Sequence, residues 1–202
     1  MKYTLTTLAL AALSFANPVP QTYTAPPTFK ITNVISGGSG CPQGSIDINW
    51  TDNRILPIYF NKEFTARVGS KVDVTDSRKN CQINLALEFS PGYSFAIFSA
   101  DYAGWADLDK GVTGVVKSTY YFSGDQDQAS TTLTIPGPYH GSYYKHDDVA
   151  LSVWSPCGSS AALNVNSEVA LTPLASPLTG TLVATREGAR FSSTFNIQWK
   201  KC

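Results

Sequence analysis

Only two imidazoles stand in the chain, His140 and His146, and Asp147 and Asp148 follow the second. Imidazole is the usual base for activating a Ser, Thr or Cys nucleophile, but no G-x-S-x-G elbow or other positioned nucleophile accompanies these two. They read as solvated histidines of an irregular segment. Paired carboxylates could instead hydrolyse a glycosidic bond if they converged across a cleft. Asp101, Asp107 and Asp109 cluster most closely, and a secreted carbohydrate-active hydrolase using a pair near Asp101 and Asp107 is the alternative reading. Turn chemistry accounts for them more simply, since Asp bonds its own backbone at turns and Asp107 and Asp109 flank one. Residues 125–128 (D-Q-D-Q) and 146–148 (H-D-D) carry oxygens suited to calcium, yet neither matches a spaced calcium loop. No metal and no cofactor is expected.

The aromatics are more suggestive. Tyr139, His140, Tyr143 and Tyr144 crowd the span 136–145, where Pro136, Gly137, Pro138 and Gly141 argue for a long loop rather than a strand or helix. Aromatics held in such a loop either bury a face against sugar rings or a partner protein, or cap the end of a sheet. Trp105, at a turn between Gly104 and Ala106, could join them; Trp50, Trp154 and Trp199 fall inside strand patterns and read as core.

The elements that would position these residues are strands. Cys81, Ile83, Leu85, Leu87 and Phe89 alternate with polar or small residues, and Ser90-Pro91-Gly92 supplies turn chemistry before a second run, 93–102, that is apolar on both faces. The expectation is a long central hairpin. Further strand patterns span 29–35, 46–50, 55–60, 63–68, 112–122, 130–135, 149–154, 161–165, 168–171, 178–185 and 191–199. Gly37, Gly38 and Gly40 read as a loosely specified loop. With no convincing helical periodicity, the fold class is all-β, an antiparallel β-sandwich of immunoglobulin-like or jelly-roll-like kind.

Residues 1–16 read as a signal peptide, with Lys2 ahead of an apolar run from Leu5 to Phe15 and small residues before the cut. That run is far short of the roughly 20 residues a membrane span needs. Residues 17–28 form a Pro-rich flexible leader, and 29–202 a single sandwich domain. Fifteen basic residues against fifteen acidic ones argue against a nucleic-acid or anionic-membrane partner. Four cysteines in an exported chain imply two disulfides. Of three pairings, Cys41 with Cys81 and Cys157 with Cys202 is favoured, since each staples its own half of the chain for about 4 kcal/mol in the chain-entropy model. Asn49-Trp50-Thr51 is the one sequon, and Asn49 falls on the polar side of its strand pattern.

Five stretches carry a resemblance: G-S-G-C-P-Q-G-S (38–45), D-S-R-K-N-C-Q (76–82), D-Y-A-G-W-A-D-L-D-K-G-V (101–112), S-T-Y-Y-F-S-G (118–124) and W-S-P-C-G (154–158). In this order they resemble the secreted, mostly fungal family known as domain of unknown function 4360. The resemblance implies a small extracellular protein and brings no catalytic residues. The sequence therefore points to a secreted, non-catalytic β-sandwich that binds wall polysaccharide or a host or fungal surface protein, with Tyr139, His140, Tyr143, Tyr144 and Trp105 as the candidate binding residues.

Overall fold

The computed structural model describes residues 26–48, 55–148, 153–174, 177–182 and 191–202. The signal-peptide reading, most of the Pro-rich leader, Asn49 and Trp50 lie outside them. Eleven strands are described: β1 Phe29–Gly37, β2 Ile46–Ile48, β3 Ile55–Phe60, β4 Ala66–Val68, β5 Arg78–Leu108, β6 Thr113–Phe122, β7 Gln128–Pro136, β8 Tyr139–Asp148, β9 Gly158–Thr172, β10 Gly180–Leu182 and β11 Phe191–Lys201. All pairings between them are antiparallel, and the chain forms an antiparallel β-sandwich.

β5 belongs to both sheets. Its first part lies between β1 and β9, and β9 continues to β6 and β7. Its second part lies between β11 and β8, and β11 continues to β3 and β2. The short β10 and β4 extend the second sheet beside Ala106 to Leu108. The sheets meet face to face where Phe95 of the second contacts Phe122 of the first, ring centroids 5.0 Å apart.

The expected hairpin at Ser90-Pro91-Gly92 is a bend within one strand. Glu88 pairs with Ser160 and Tyr93 with Gly158, so residues 89–92 stand opposite Ser159 alone and the chain turns from one sheet into the other without reversing. Gly92 takes φ +81°, which the bend requires. Backbone groups that leave the ladder find partners elsewhere: Ser90 N–H donates to Thr28 O (3.1 Å), and Gly92 O accepts from Cys202 N–H (2.8 Å). The reading of 93–102 as covered on both faces holds as far as Ala100, since Tyr93, Ser94, Phe95, Ala96, Ile97, Ser99 and Ala100 are all buried, and Asp101 is half-exposed. Ser155 closes the outer edge there, its amide donating to Phe95 O (2.7 Å) and its Oγ accepting from Phe95 N–H (3.0 Å).

Past Ile97 the side chains that join the apolar core change parity, although Ser94, Ala96 and Ser99 on the opposite face are covered too. Odd positions face the core up to Ile97, and even positions, Ala100, Tyr102, Ala106 and Leu108, face it afterwards. The pairing with β11 slips at this point, since Ile97 faces Ile197 and Ser99 faces Asn196, leaving Phe98 unmatched in the register. Such a one-residue bulge exchanges the two faces of every later residue.

Both disulfides form as favoured, Cys41–Cys81 (Cα–Cα 5.3 Å) and Cys157–Cys202 (6.1 Å). The Gly38-Ser39-Gly40 loop is docked rather than loose. Gly40 N–H donates to Asn80 O (3.0 Å), Ser39 Oγ bonds Asn80 Oδ1 (2.9 Å), and a Cβ on Gly38 (φ +147°) would lie 2.3 Å from Asn80 O. The small residues exist so that backbone can approach backbone beside Cys41. Gly38→Ala is expected to lower stability by about 1–3 kcal/mol, the cost of a strained backbone position, and a denaturant midpoint shifted down at unchanged slope checks it.

Candidate functional site

The parity change decides what the second half of β5 shows to solvent. With Ala100, Tyr102, Ala106 and Leu108 inside, Asp101, Ala103, Trp105 and Asp107 face out. β8 pairs along this stretch and buries Tyr143, so its outward residues are His140, Ser142, Tyr144 and His146. The register sets Asp101 opposite His146, Ala103 opposite Tyr144, Trp105 opposite Ser142 and Asp107 opposite His140. The span expected to be a loop is therefore a strand. Pro136, Gly137 and Pro138 precede it, and pairing with the edge of β5 supplies the backbone partners that local composition does not reveal.

Cross-strand contacts order this face. His146 Nδ1 lies 2.5 Å and the Tyr144 hydroxyl 2.9 Å from the same oxygen of Asp101. His140 Nδ1 lies 3.0 Å from Asp107, and its ring stands edge-on to Trp105 at 5.1 Å. A carboxylate only accepts, so Nδ1 donates in both pairs and Nε2 is the nitrogen His140 offers at the surface. The bond to Asp101 pushes the Tyr144 phenol above the ordinary tyrosine value, which keeps this exposed hydroxyl a neutral donor. Asp101 and Asp107 are six residues apart on one strand, about 20 Å at the usual rise, whereas two-carboxylate hydrolysis needs roughly 5–9.5 Å. They do not converge on one glycosidic bond. Neither do the two histidines converge, and among the described residues no group of three or more His, Cys, Asp or Glu could hold a metal ion.

Of the expected binding residues, Trp105, His140 and Tyr144 share this outward face. Tyr139 is half-buried and its hydroxyl donates to Ser142 O (2.8 Å). Tyr143 is core: its ring crosses Gly104, where a Cβ would lie 2.4 Å from the phenol oxygen. Trp199 is core as read, while Trp154 is half-buried under Lys200, whose Nζ sits 4.0 Å from the ring centroid.

Residues that sequence reading missed extend the face. Arg67 on β4 pairs with Thr181 on β10, Thr181 with Asp107, and Asp107 with His140, a polar row across four strands. A groove beside it is lined by Arg67, Lys71, Asp107, Thr179 and Thr181. Asp109 holds its wall, accepting from the Thr179 amide (2.7 Å) and hydroxyl (2.9 Å), which lowers its carboxyl below the ordinary value. The only sequence signal was one polar residue between two buried ones, Ala66-Arg67-Val68 and Gly180-Thr181-Leu182.

The model of the family described as domain of unknown function, DUF4360, matches residues 27–202. This chain belongs to the DUF4360 family. An uncharacterized secreted protein of Arthroderma benhamiae is 39% identical over 179 residues, 88% of this chain and 73% of the relative. Like it, this DUF4360 protein is secreted, in keeping with its two disulfides. No helix among the described residues is long and apolar enough to cross a membrane. Among solved structures, a carbohydrate-binding module in complex with beta-1,4-galactotriose aligns over 86% of this chain and 91% of its own, at 8% identity and a TM-score of 0.27. A family 11 carbohydrate-binding module from Clostridium thermocellum, in complex with a beta-1,3-1,4-mixed-linked tetrasaccharide, covers the same shares at 8% identity and a TM-score of 0.24. Overlaps this low say nothing of this chain's ligand.

The Tyr143 hydroxyl is buried with no hydrogen-bond partner among the described residues, and burial pushes its ionisation well above the ordinary value. Tyr143→Phe removes an unsatisfied polar group and keeps the ring, so stability is expected to hold or rise by about 1 kcal/mol, whereas Tyr143→Ala costs about 3 kcal/mol or more. Chemical denaturation of the two variants reads both effects.

Proposed function

We propose that this secreted protein binds cell-wall polysaccharide, without cleaving it, on the outward face formed by β5 and β8. The observation that carries the reading is the co-alignment of Trp105 and Tyr144 with hydrogen-bonding side chains, Asp101, Asp107, His140 and His146, on one face of one strand pair. A sugar ring stacked on an aromatic buries its apolar side, and its hydroxyls exchange water for fixed donors and acceptors at the rim. Both kinds of group are present, and the cross-strand bonds set the rotamers before any ligand arrives, which lowers the ordering cost of binding. Polysaccharide is favoured over a protein partner because Tyr144 is the one large hydrophobic side chain of this face that is strongly exposed, 69%, whereas a protein interface needs a wider apolar centre. The separation of Asp101 from Asp107 supports binding over hydrolysis. On the same reading residues 1–16 are removed on export, 17–28 act as a tether, and 29–202 form the binding unit.

Tyr144→Ala and Trp105→Ala test this with retention on insoluble chitin, glucan and cellulose measured beside thermal melting. Losing a stacked ring is expected to weaken retention about tenfold or more on at least one polymer. Tyr144→Ala should do so with stability unchanged to within about 0.5 kcal/mol. Absence of retention on every polymer, or retention untouched by both changes, overturns the reading.

A further inference from the structure

The geometry points to a carboxylate-bearing sugar unit, a uronate, held by Arg67 and Lys71 at the β4 end of the same face; this rests on the polysaccharide-binding reading above. Arg67 projects outward between buried Ala66 and Val68, and the turn closed by Val72 N–H to Gly69 O (3.1 Å) brings Lys71 to the same groove. Among the described residues Lys30 pairs with Glu88, Arg78 with Glu168 and Lys79 with Asp76, whereas Arg67 and Lys71 are two cations that share one groove. Arg67 and Lys71 have no carboxylate partner among the described residues. The one carboxylate lining their groove, Asp107, is bonded to His140, and that of Asp109, just behind the wall, is taken up by Thr179.

A hydrogen bond does not discharge a carboxylate, so Asp107 and Asp109 still offset Arg67 and Lys71 in charge, and what the groove offers is two cations with no carboxylate in contact with them, on a chain whose total is zero. Their pull on a carboxylate therefore acts at contact distance and not as a long-range field. A guanidinium fork matches a carboxylate with two parallel hydrogen bonds, and an adjacent ammonium adds a point charge. Thr181 between Arg67 and Asp107 offers a hydroxyl to the sugar ring itself. Trp105 lies about 7 Å along β5 from Asp107, and Arg67 about 10 Å across two strand spacings on the other side. A ligand touching both must be a chain, which selects an acidic polysaccharide over a free uronic acid.

Titration with polygalacturonate and with its fully methyl-esterified form separates charge from sugar. The wild-type protein is expected to bind the acid about tenfold tighter than the ester, an advantage that fades as salt is raised. Arg67→Gln with Lys71→Gln should abolish that advantage while leaving ester binding and melting as they were. Equal affinity for acid and ester, with Trp105→Ala still weakening both, overturns the uronate assignment and leaves the binding face standing. Preference for the acid that survives the double change also overturns it. Binding of both polymers that is indifferent to Trp105→Ala tells instead against the face.

Discussion

Four buried aromatic rings and the half-buried Phe29 hold β5 where it passes from one sheet to the other. Trp199 meets Phe29, Phe89 and Phe95 at centroid distances of 5.1, 5.4 and 5.0 Å, and Phe95 meets Phe122 edge-on across the sandwich. Each such pair contributes about 0.5–1.5 kcal/mol beyond the area it buries. That gain offsets the ladder bonds missing along 89–92, and the two backbone bonds to Thr28 and Cys202 make up part of the remainder. The Cys157–Cys202 disulfide lies beside the same crossing and limits how far the end of β11 can drift from Gly92.

Everything on the candidate face follows from what happens next along β5. The bulge at Phe98 moves Tyr102 inward, where its hydroxyl meets Tyr120 (2.5 Å) and Thr131 in a buried cluster joining both sheets. Desolvation keeps the Tyr120 phenol well above its ordinary value, so the cluster stays neutral. The same shift sends Asp101, Trp105 and Asp107 outward to meet His146, Ser142 and His140. Without the bulge the polar side chains would be buried and the tyrosine exposed. A packing device inside the core thus sets the chemistry of the surface.

The alternation of β5, the strand content and the cysteine pairing were legible because each is a local pattern or a parity argument. The hairpin was misread because Pro91-Gly92 has the chemistry of a reversal and serves a bend, a choice made by strands far away in sequence. The loop around Tyr143 was misread for a similar reason: Pro136 and Pro138 sit at the ends of strands, and the partner that makes 139–148 a strand is β5. His140, Tyr144 and Trp105 could be singled out from residue type, but nothing local told Tyr143 apart from Tyr144. Arg67 and Thr181 were invisible, since each is a single residue in a three-residue strand and joins the row only through pairings more than forty residues apart.

Mapping amide chemical shifts during titration with a soluble wall oligosaccharide tests the central claim most directly. Perturbations are expected to concentrate at residues 101–107 and 140–146 and to fade along 67–71 and 179–181, with the β6–β7 face unmoved. Shifts centred on β6 and β7, or on the cleft between Lys30, Glu88 and Ser160, would contradict it.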